Sequence, residues 1–222
     1  MSESIKVGDR RPIRARQWRV SHRAAHWIGR TGISPNAISV IGMCCGIGAG
    51  AALAWTSQAL VGHARVEFLL GAAFIILRLL ANMFDGMVAV EQGKASPVGE
   101  LYNEVPDRIS DVATLVGAGF AMGGDVMLGW AAASVALFTA YVRAMGKAAG
   151  ASNEFCGPMA KQQRMLVVIG VAVWCSVTPL AWQHLGDWGI MELGLAIILV
   201  LGLVTSLRRL LRVARTLRAA RQ

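Results

Sequence analysis

The segment AISVIGMCCGIGAGAALAWTS, residues 37–57, contains no charged side chain and is long enough to cross a lipid bilayer as a helix. These residues do not alternate between apolar and polar types as the strands of a membrane barrel do. Five further apolar stretches of similar length follow, at residues 66–90, 104–123, 126–149, 164–183 and 189–207. Because only helices and closed barrels satisfy their backbone in lipid, the sequence predicts an all-α integral membrane protein with six transmembrane helices.

Basic residues are concentrated at the two ends of the chain, with eight Lys or Arg before Asn36 and six Arg after residue 207. By the positive-inside rule, both termini are expected in the cytoplasm, which requires an even number of spans. We expect the protein in a bacterial inner membrane. The chain then divides into a basic cytoplasmic or interfacial segment (1–33), a six-helix membrane domain (34–207) and a basic cytoplasmic tail (208–222).

The basic N-terminal segment carries an amphipathic pattern over residues 14–31. Its tryptophans and small apolar residues can share one side of a helix, with arginines over the rest. This pattern predicts an interfacial helix that lies on the membrane surface, although a solvated basic tail is the simpler alternative. Because the positive charge flanks membrane spans, we expect anionic membrane lipid, and no nucleic acid, as its partner.

The first span has its own start and packing signals. Ser34 is predicted to cap the helix, with Pro35 at its first position. Gly42, Gly46 and Gly50 follow at four-residue spacing, which allows the backbones of neighbouring helices to approach closely.

Acidic and amide side chains crowd together between residues 82 and 111, where six of the thirteen carboxylates of the chain lie. Ionisable groups near lipid are costly and are usually retained for a function. The segment shows almost no balancing positive charge, so the sequence predicts that a divalent cation supplies it. The candidate residues are Asn82, Asp85, Glu91, Glu100, Asn103, Glu104, Asp107 and Asp111.

Helical spacing predicts how these side chains face one another. Asn82 and Asp85 are three residues apart at the end of the second span, while Asn103, Asp107 and Asp111 follow one another at intervals of four at the start of the third. Two facing sets of oxygen ligands could hold two Mg²⁺ or Mn²⁺ ions. The alternative is a solvated helix end with internal pairs, such as Glu104 with Arg108.

The pattern resembles the signature of the CDP-alcohol phosphatidyltransferase family, D-x-x-D-G-x-x-A-R followed by G-x-x-x-D-x-x-x-D. SPN at residues 34–36 and YVRA at 141–144 resemble two further family motifs. The spacing of the signature matches throughout, whereas Asn82, Val90 and Asn103 stand where the family usually has Asp, Arg and Asp. The chain reads Asn82-x-x-Asp85-Gly86-x-x-Ala89-Val90, then eight residues, then Gly99-x-x-x-Asn103-x-x-x-Asp107.

The resemblance implies a metal-dependent enzyme that moves the phosphatidyl group of CDP-diacylglycerol to an alcohol acceptor and releases CMP. It implies Asp107 as the catalytic base, and a homodimer as the assembly. The metal-site residues would be Asn82, Asp85, Asn103 and Asp107. The donor nucleotide would lie against Gly86, Ala89, Lys94, Ser96 and Gly99, with Lys94 in reach to replace the missing motif arginine.

Three basic residues could receive a phosphate at the same membrane surface, which would make the acceptor a phosphorylated alcohol such as glycerol phosphate or inositol phosphate. They are Arg143, Lys161 and Arg164. The alternative is that they only follow the positive-inside rule and bind no ligand. Arg78, inside the second span, has no assigned role. Glu100, Glu104 or Asp111 could restore the charge that the two asparagines remove.

Three functions remain open from the sequence. The first is the phosphatidyl transferase, with Asp107 as base or, alternatively, Asp111. The second is a catalytically silent relative that binds a nucleotide-lipid or a partner enzyme, which the Asn and Val departures would suit. The third is an ion transporter, but its acidic groups should be spread through the membrane depth rather than gathered at one surface.

Overall fold

The computed structural model describes residues 18–93, 97–151 and 155–219, and its architecture is helical throughout apart from one short strand pair. Four of its helices are long and apolar enough to cross a membrane: Pro35–Trp55, Val61–Glu91, Val126–Ala148 and Ile190–Ala219. The seven helices are α1 (Arg19–Arg30), α2 (Pro35–Trp55), α3 (Val61–Glu91), α4 (Pro97–Gly119), α5 (Val126–Ala148), α6 (Lys161–Val177) and α7 (Ile190–Ala219).

Each of the six predicted apolar stretches forms a helix, with ends that differ by several residues from the predicted ones. Helix α6 ends at Val177, where the prediction continued to residue 183, and a turn of 3₁₀ helix (Leu180–Trp182) follows it. Strands β1 (His184–Leu185) and β2 (Trp188–Gly189) then pair antiparallel. Helix α7 continues to Ala219 without a break, so the described part of the basic tail is helical.

Helix α2 begins as the sequence predicts. The Ser34 hydroxyl accepts a hydrogen bond of 3.2 Å from the backbone N–H of Ala37, and Pro35 is the first helical residue. The hydroxyl thus satisfies one of the N–H groups that every helix leaves open at its start.

The glycines of α2 bring it into backbone contact with α4, which confirms the packing prediction. A Cβ atom at Gly46 would lie 2.4 Å from Ser110 Cβ, and one at Gly50 would lie 2.2 Å from the backbone oxygen of Ala113. Helix α3 packs on another side of α2, where a Cβ at Gly42 would lie 3.0 Å from Ala81 Cβ. Helix α2 is therefore the common support of α3 and α4.

The interior between the helices is apolar, with Phe68, Ile75, Leu115, Met165 and Leu195 almost completely buried. Helix α5 packs on α4 and α7, while α6 packs on α3 and α7. Large apolar side chains also point outward along the long helices, as expected for surfaces that face lipid rather than water.

Helix α1 contacts the end of α3. The Nδ1 atom of His26 lies 2.5 Å from Glu91 Oε1, and the side chain of Gln92 donates to the backbone oxygen of Gly29 at 3.3 Å. Trp18 and Trp27 stay exposed. Whether this helix lies on a membrane surface remains a prediction.

Candidate active site

A small cleft opens between α3 and α4, near the end of α3 and the start of α4. The two helices make few contacts with each other, and both pack on α2. All four predicted metal-site side chains, on both helices, line this cleft. Its lining consists of Ser39, Gly42, Arg78, Asn82, Asp85, Asn103, Pro106 and Asp107.

Asn82 connects the two walls of the cleft. Its Nδ2 atom donates to Asn103 Oδ1 at 3.0 Å and lies 3.3 Å and 3.2 Å from the two carboxylate oxygens of Asp107. A carboxylate can only accept, so an amide nitrogen turned towards it is the favourable orientation. An aspartate at position 82 would instead place a second negative charge next to the Asp107 carboxylate, and the two would repel each other.

Asp85 is buried on the α2 side of the cleft, with 3% of its surface exposed. The Ser39 hydroxyl donates to Asp85 Oδ2 at 2.7 Å, and the backbone N–H of Gly86 donates to Oδ1 at 2.5 Å. Ser39 was not among the residues predicted from the sequence. Nothing in an apolar span marks one serine as the partner of a carboxylate 46 residues later.

Asp107 lies among cations from three helices. The ammonium group of Lys161 contacts Asp107 Oδ2, and Arg78 Nη2 lies 3.6 Å from Oδ1. Arg78 Nη2 also donates to the backbone oxygen of Asp107 at 3.1 Å. Arg108 Nη2 lies 3.8 Å from Oδ2.

Asp111 is fully buried one turn further along α4 and is held by two arginines. Arg78 Nη2 donates to its Oδ1 at 2.6 Å, and Arg164 Nη2 donates to its Oδ2 at 2.9 Å. Both guanidinium groups are themselves about as deeply buried. Asp111 does not line the cleft. Of the two candidate bases, only Asp107 lines the cleft.

Glu104 lies at the outer part of the acidic face of α4. Arg143 Nη2 lies 2.5 Å from Glu104 Oε1, and the Arg143 guanidinium stacks over Phe155 at 5.5 Å from its ring centroid. The internal pair with Arg108 is also present, at 3.5 Å. Glu104 does not line the cleft, so neither it nor Asp111 restores charge there.

The expectation that the acidic cluster has almost no balancing positive charge is wrong. Five basic residues pair with Glu104, Asp107 or Asp111. Three of the five come from α5 and α6, which lie far from α4 in the sequence, so counting charges within the segment could not find them. The five are Arg78, Arg108, Arg143, Lys161 and Arg164. The three predicted phosphate-binding residues thus face the acidic side of α4.

The predicted donor-nucleotide residues are only partly described. Gly86 and Ala89 are half-buried near the end of α3, and Gly99 is half-buried in the first turn of α4. These positions lie close to the cleft at the same end of the helix pair. Lys94 and Ser96 lie outside the described residues.

The side chains of the cleft are of the kinds that bind a hard divalent cation. Mg²⁺ and Mn²⁺ bind carboxylate and amide oxygens, and the cleft offers both kinds from α3 and α4. Within the described residues, however, no group of three acidic, His or Cys side chains is placed to hold a metal. Asn82 and Asn103 contribute oxygen dipoles where carboxylates would contribute charge.

Comparison with known proteins agrees with this architecture. The chain is 27% identical over 197 residues to a phosphatidylinositol phosphate synthase of Streptomyces avermitilis, covering 86% of this chain and 76% of that protein. It is 26% identical to the Mycobacterium marinum phosphatidylinositol phosphate synthase (74% and 68% covered) and 23% identical to the Escherichia coli inner membrane protein YnbA (72% and 77%).

Solved structures share the fold. Phosphatidylinositol phosphate synthase of Mycobacterium tuberculosis with CDP-DAG bound superposes with a TM-score of 0.69 at 21% identity, covering 88% of this chain and 94% of that one. The same protein in complex with manganese and citrate gives a TM-score of 0.71 at 20% identity, covering 87% and 88%. A sequence model of the CDP-alcohol phosphatidyltransferases matches residues 32–214. This chain therefore belongs to the CDP-alcohol phosphatidyltransferase family, metal-dependent membrane enzymes of phospholipid biosynthesis.

Proposed function

We propose that the protein transfers the phosphatidyl group of CDP-diacylglycerol to the hydroxyl of a phosphorylated alcohol and releases CMP. The observation that carries the proposal is the convergence of Asn82, Asp85, Asn103 and Asp107 on one cleft, at the positions of the family signature. In this transfer the acceptor oxygen bonds to the phosphorus that carries diacylglycerol. The bond from that phosphorus to the oxygen of CMP breaks.

Asp107 is the proposed base. It lines the cleft with 13% of its side chain exposed, whereas Asp111 is fully enclosed by two arginines. As the acceptor hydroxyl attacks, its proton passes to an Asp107 carboxylate oxygen. Lys161 and Arg78 then keep positive charge beside a site where phosphate charge gathers, which phosphoryl transfer requires.

A divalent cation would be held by Asp85, Asn82 and Asn103, with Asp107 completing the oxygen set. When bound, Mg²⁺ or Mn²⁺ neutralises the diphosphate and stabilises the leaving CMP. The Ser39 hydroxyl and the Gly86 N–H fix the orientation of Asp85 towards the cleft. Partners of this kind commonly decide how well a ligand is oriented.

The donor nucleotide is proposed to lie against Gly86, Ala89 and Gly99, where small side chains leave room for a flat base. Lys94 and Ser96, outside the described residues, remain proposed donor contacts from the sequence. The acceptor phosphate is proposed to bind Arg143, Lys161 and Arg164. Two relatives named phosphatidylinositol phosphate synthase support a phosphorylated acceptor, with inositol phosphate as the first choice and glycerol phosphate as the second.

For the membrane arrangement we propose six spans, α2 to α7, with both termini and the cleft on the cytoplasmic side of a bacterial inner membrane. Helices α4 and α6 fall outside the four apolar helices, but their charged side chains meet one another inside the bundle. Helix α1 would lie on the anionic membrane surface with Trp18 and Trp27 exposed to lipid. A homodimer is proposed from family membership.

The test is CMP release from CDP-diacylglycerol by the purified protein, with Mn²⁺, Mg²⁺ or EDTA, over a panel of free and phosphorylated glycerol and inositol. Metal-dependent release stimulated by one phosphorylated alcohol is expected. Asp107→Asn should lower the rate by at least about 100-fold, the scale of general base catalysis. Asp187→Asn, the same change at an exposed site, should leave it unchanged.

Two results would contradict the proposal. Donor binding without turnover towards any acceptor would instead support a silent relative, and an Asp107→Asn protein with full activity would remove the proposed base.

A further inference from the structure

The two carboxylates of the cleft have opposite surroundings. Asp85 accepts from two neutral donors, the Ser39 hydroxyl and the Gly86 N–H, and within the described parts of the chain it has no ion pair. Asp107 lies beside Lys161 and Arg78. A divalent cation entering the cleft would therefore meet a carboxylate without a close cation at Asp85, and a carboxylate that already contacts protein cations at Asp107.

The two asparagines strengthen this asymmetry. Asn82 and Asn103 offer carbonyl oxygens, which can complete the coordination of one hard cation without adding negative charge. Two divalent cations would bring four positive charges to two carboxylates, one of which already pairs with protein cations. The repulsion between close like charges in a buried site disfavours that arrangement.

Arg78 is the protein cation best placed to act on a ligand. It lines the cleft and is 1% exposed, and only its Nη2 atom is engaged, with Asp107 and Asp111. Among the described residues its Nε and Nη1 atoms have no hydrogen-bond partner. Leaving buried donors unpaired is costly, so an oxygen-rich ligand in the cleft is their expected partner.

We propose that the cleft binds a single divalent cation on the Asp85 side, and that Arg78 replaces a second cation by donating to a phosphate oxygen of the donor. This inference rests on the proposed function, since it takes the diphosphate of CDP-diacylglycerol as the ligand. A guanidinium group suits the role because its charge is permanent and its planar donors match phosphate oxygens.

Metal stoichiometry is the first test. The full chain in detergent micelles is titrated with Mn²⁺ while electron paramagnetic resonance follows free and bound ions. One Mn²⁺ per chain without coupling between ions is expected. The Asn82→Asp/Asn103→Asp protein should bind a second ion and show exchange coupling. A wild-type protein that binds two coupled ions, or none, would overturn the proposal.

Donor affinity is the second test, measured as binding of CDP-diacylglycerol in mixed micelles. Arg78→Gln should weaken binding roughly tenfold to hundredfold, the range for a hydrogen bond to a charged group. Arg78→Lys should weaken binding less than Arg78→Gln does, because lysine keeps the positive charge but lacks the planar donors. The matched control is Arg65→Gln on the same helix, where the arginine donates to the backbone oxygen of Thr178, far from the cleft.

Recovery of donor binding in a variant that lacks Arg78 distinguishes a contact between Arg78 and the donor phosphate from a purely structural role. If Arg78 replaces a cation, adding Asn82→Asp and Asn103→Asp to Arg78→Gln should restore donor binding when Mn²⁺ is present. The role of Arg78 would be refuted if Arg78→Gln bound CDP-diacylglycerol as tightly as the wild type, or if Arg65→Gln lost as much affinity. It would also be refuted if the triple variant bound two ions but did not regain affinity for the donor. If Arg78→Gln does not fold, the Mn²⁺ stoichiometry of the wild-type protein still tests the single cation. The affinity of Arg78→Lys for CDP-diacylglycerol still tests the role of Arg78.

Neither readout requires turnover, so the two proposals can fail separately. A protein that binds one Mn²⁺ and CDP-diacylglycerol but never releases CMP would refute the proposed function alone. An active protein with two coupled ions would refute this inference alone.

Discussion

Asp111→Asn is the perturbation that best separates a supporting carboxylate from a reacting one. Asp111 is fully buried, and its two oxygens accept from Arg78 at 2.6 Å and from Arg164 at 2.9 Å. The substitution preserves the volume of the side chain but removes its charge. Among the described residues, Arg164, 2% exposed, would then lose its counter-ion, while Arg78, 1% exposed, would keep only the more distant Asp107 at 3.6 Å.

The expected cost follows from that burial. Removing one partner of a buried ion pair typically destabilises a protein by about 3–5 kcal/mol, because the remaining charge is left uncompensated. For a chain of this size, 1 kcal/mol corresponds to about 2–4 °C in Tm, so Asp111→Asn should lower Tm by about 6–20 °C. The same change at the exposed Asp187 should have little effect.

The assay pairs thermal unfolding in detergent with initial rates of CMP release below the transition. Asp111→Asn should lose stability and keep a measurable rate, whereas Asp107→Asn should lose the rate and retain more stability. An Asp111→Asn protein with wild-type Tm and no activity would refute the reasoning. It would also favour Asp111, the alternative candidate, as the catalytic base.

Two further substitutions test the support of the cleft. Ser39→Ala removes the donor to Asp85 and should weaken Mn²⁺ binding about 10–100-fold, as loss of a ligand's orienting partner does; equal affinities in Ser39→Ala and the exposed Ser57→Ala would contradict this. Gly50→Ala places a Cβ 2.2 Å from an α4 backbone oxygen and should cost about 1–3 kcal/mol in thermal unfolding. Gly48→Ala, whose Cβ would make only an ordinary 3.5 Å contact with Phe74, should be neutral or stabilising, and equal costs at both glycines would refute the close packing.

The helices, and the helix faces that carry the cleft residues, were predictable because both depend on the spacing of residues close together in the sequence. Apolar runs specify the helices wherever lipid or the bundle interior surrounds them. The spacing of Asn82 with Asp85, and of Asn103 with Asp107, puts each pair on one helix face, and the short connection between α3 and α4 brings the faces together.

The electrostatic partners were not predictable because they come from distant parts of the chain. Arg164 reaches Asp111 across 53 residues, and Lys161 reaches Asp107 from the first turn of α6. Lysine and arginine are common beside membrane spans for reasons of topology, so the presence of Lys161 and Arg164 in the sequence alone predicts no contact. Arg78 was noticeable in the sequence as a charged residue in an apolar run. Only the structure shows that its partners are Asp107 and Asp111 of α4.

The shared counter-ion at Asp111 has a consequence for biogenesis. Arg78 and Asp111 belong to consecutive helices, so they can neutralise each other as soon as α3 and α4 have both left the ribosome. Arg164 follows Asp111 by 53 residues, which at about 5–20 residues per second is a delay of about 3–10 s. During that interval the α3–α4 hairpin already contains an opposite charge for its most buried carboxylate. In the proposed six-span arrangement the hairpin would therefore enter the bilayer as a paired unit, at a smaller electrostatic cost than either helix alone.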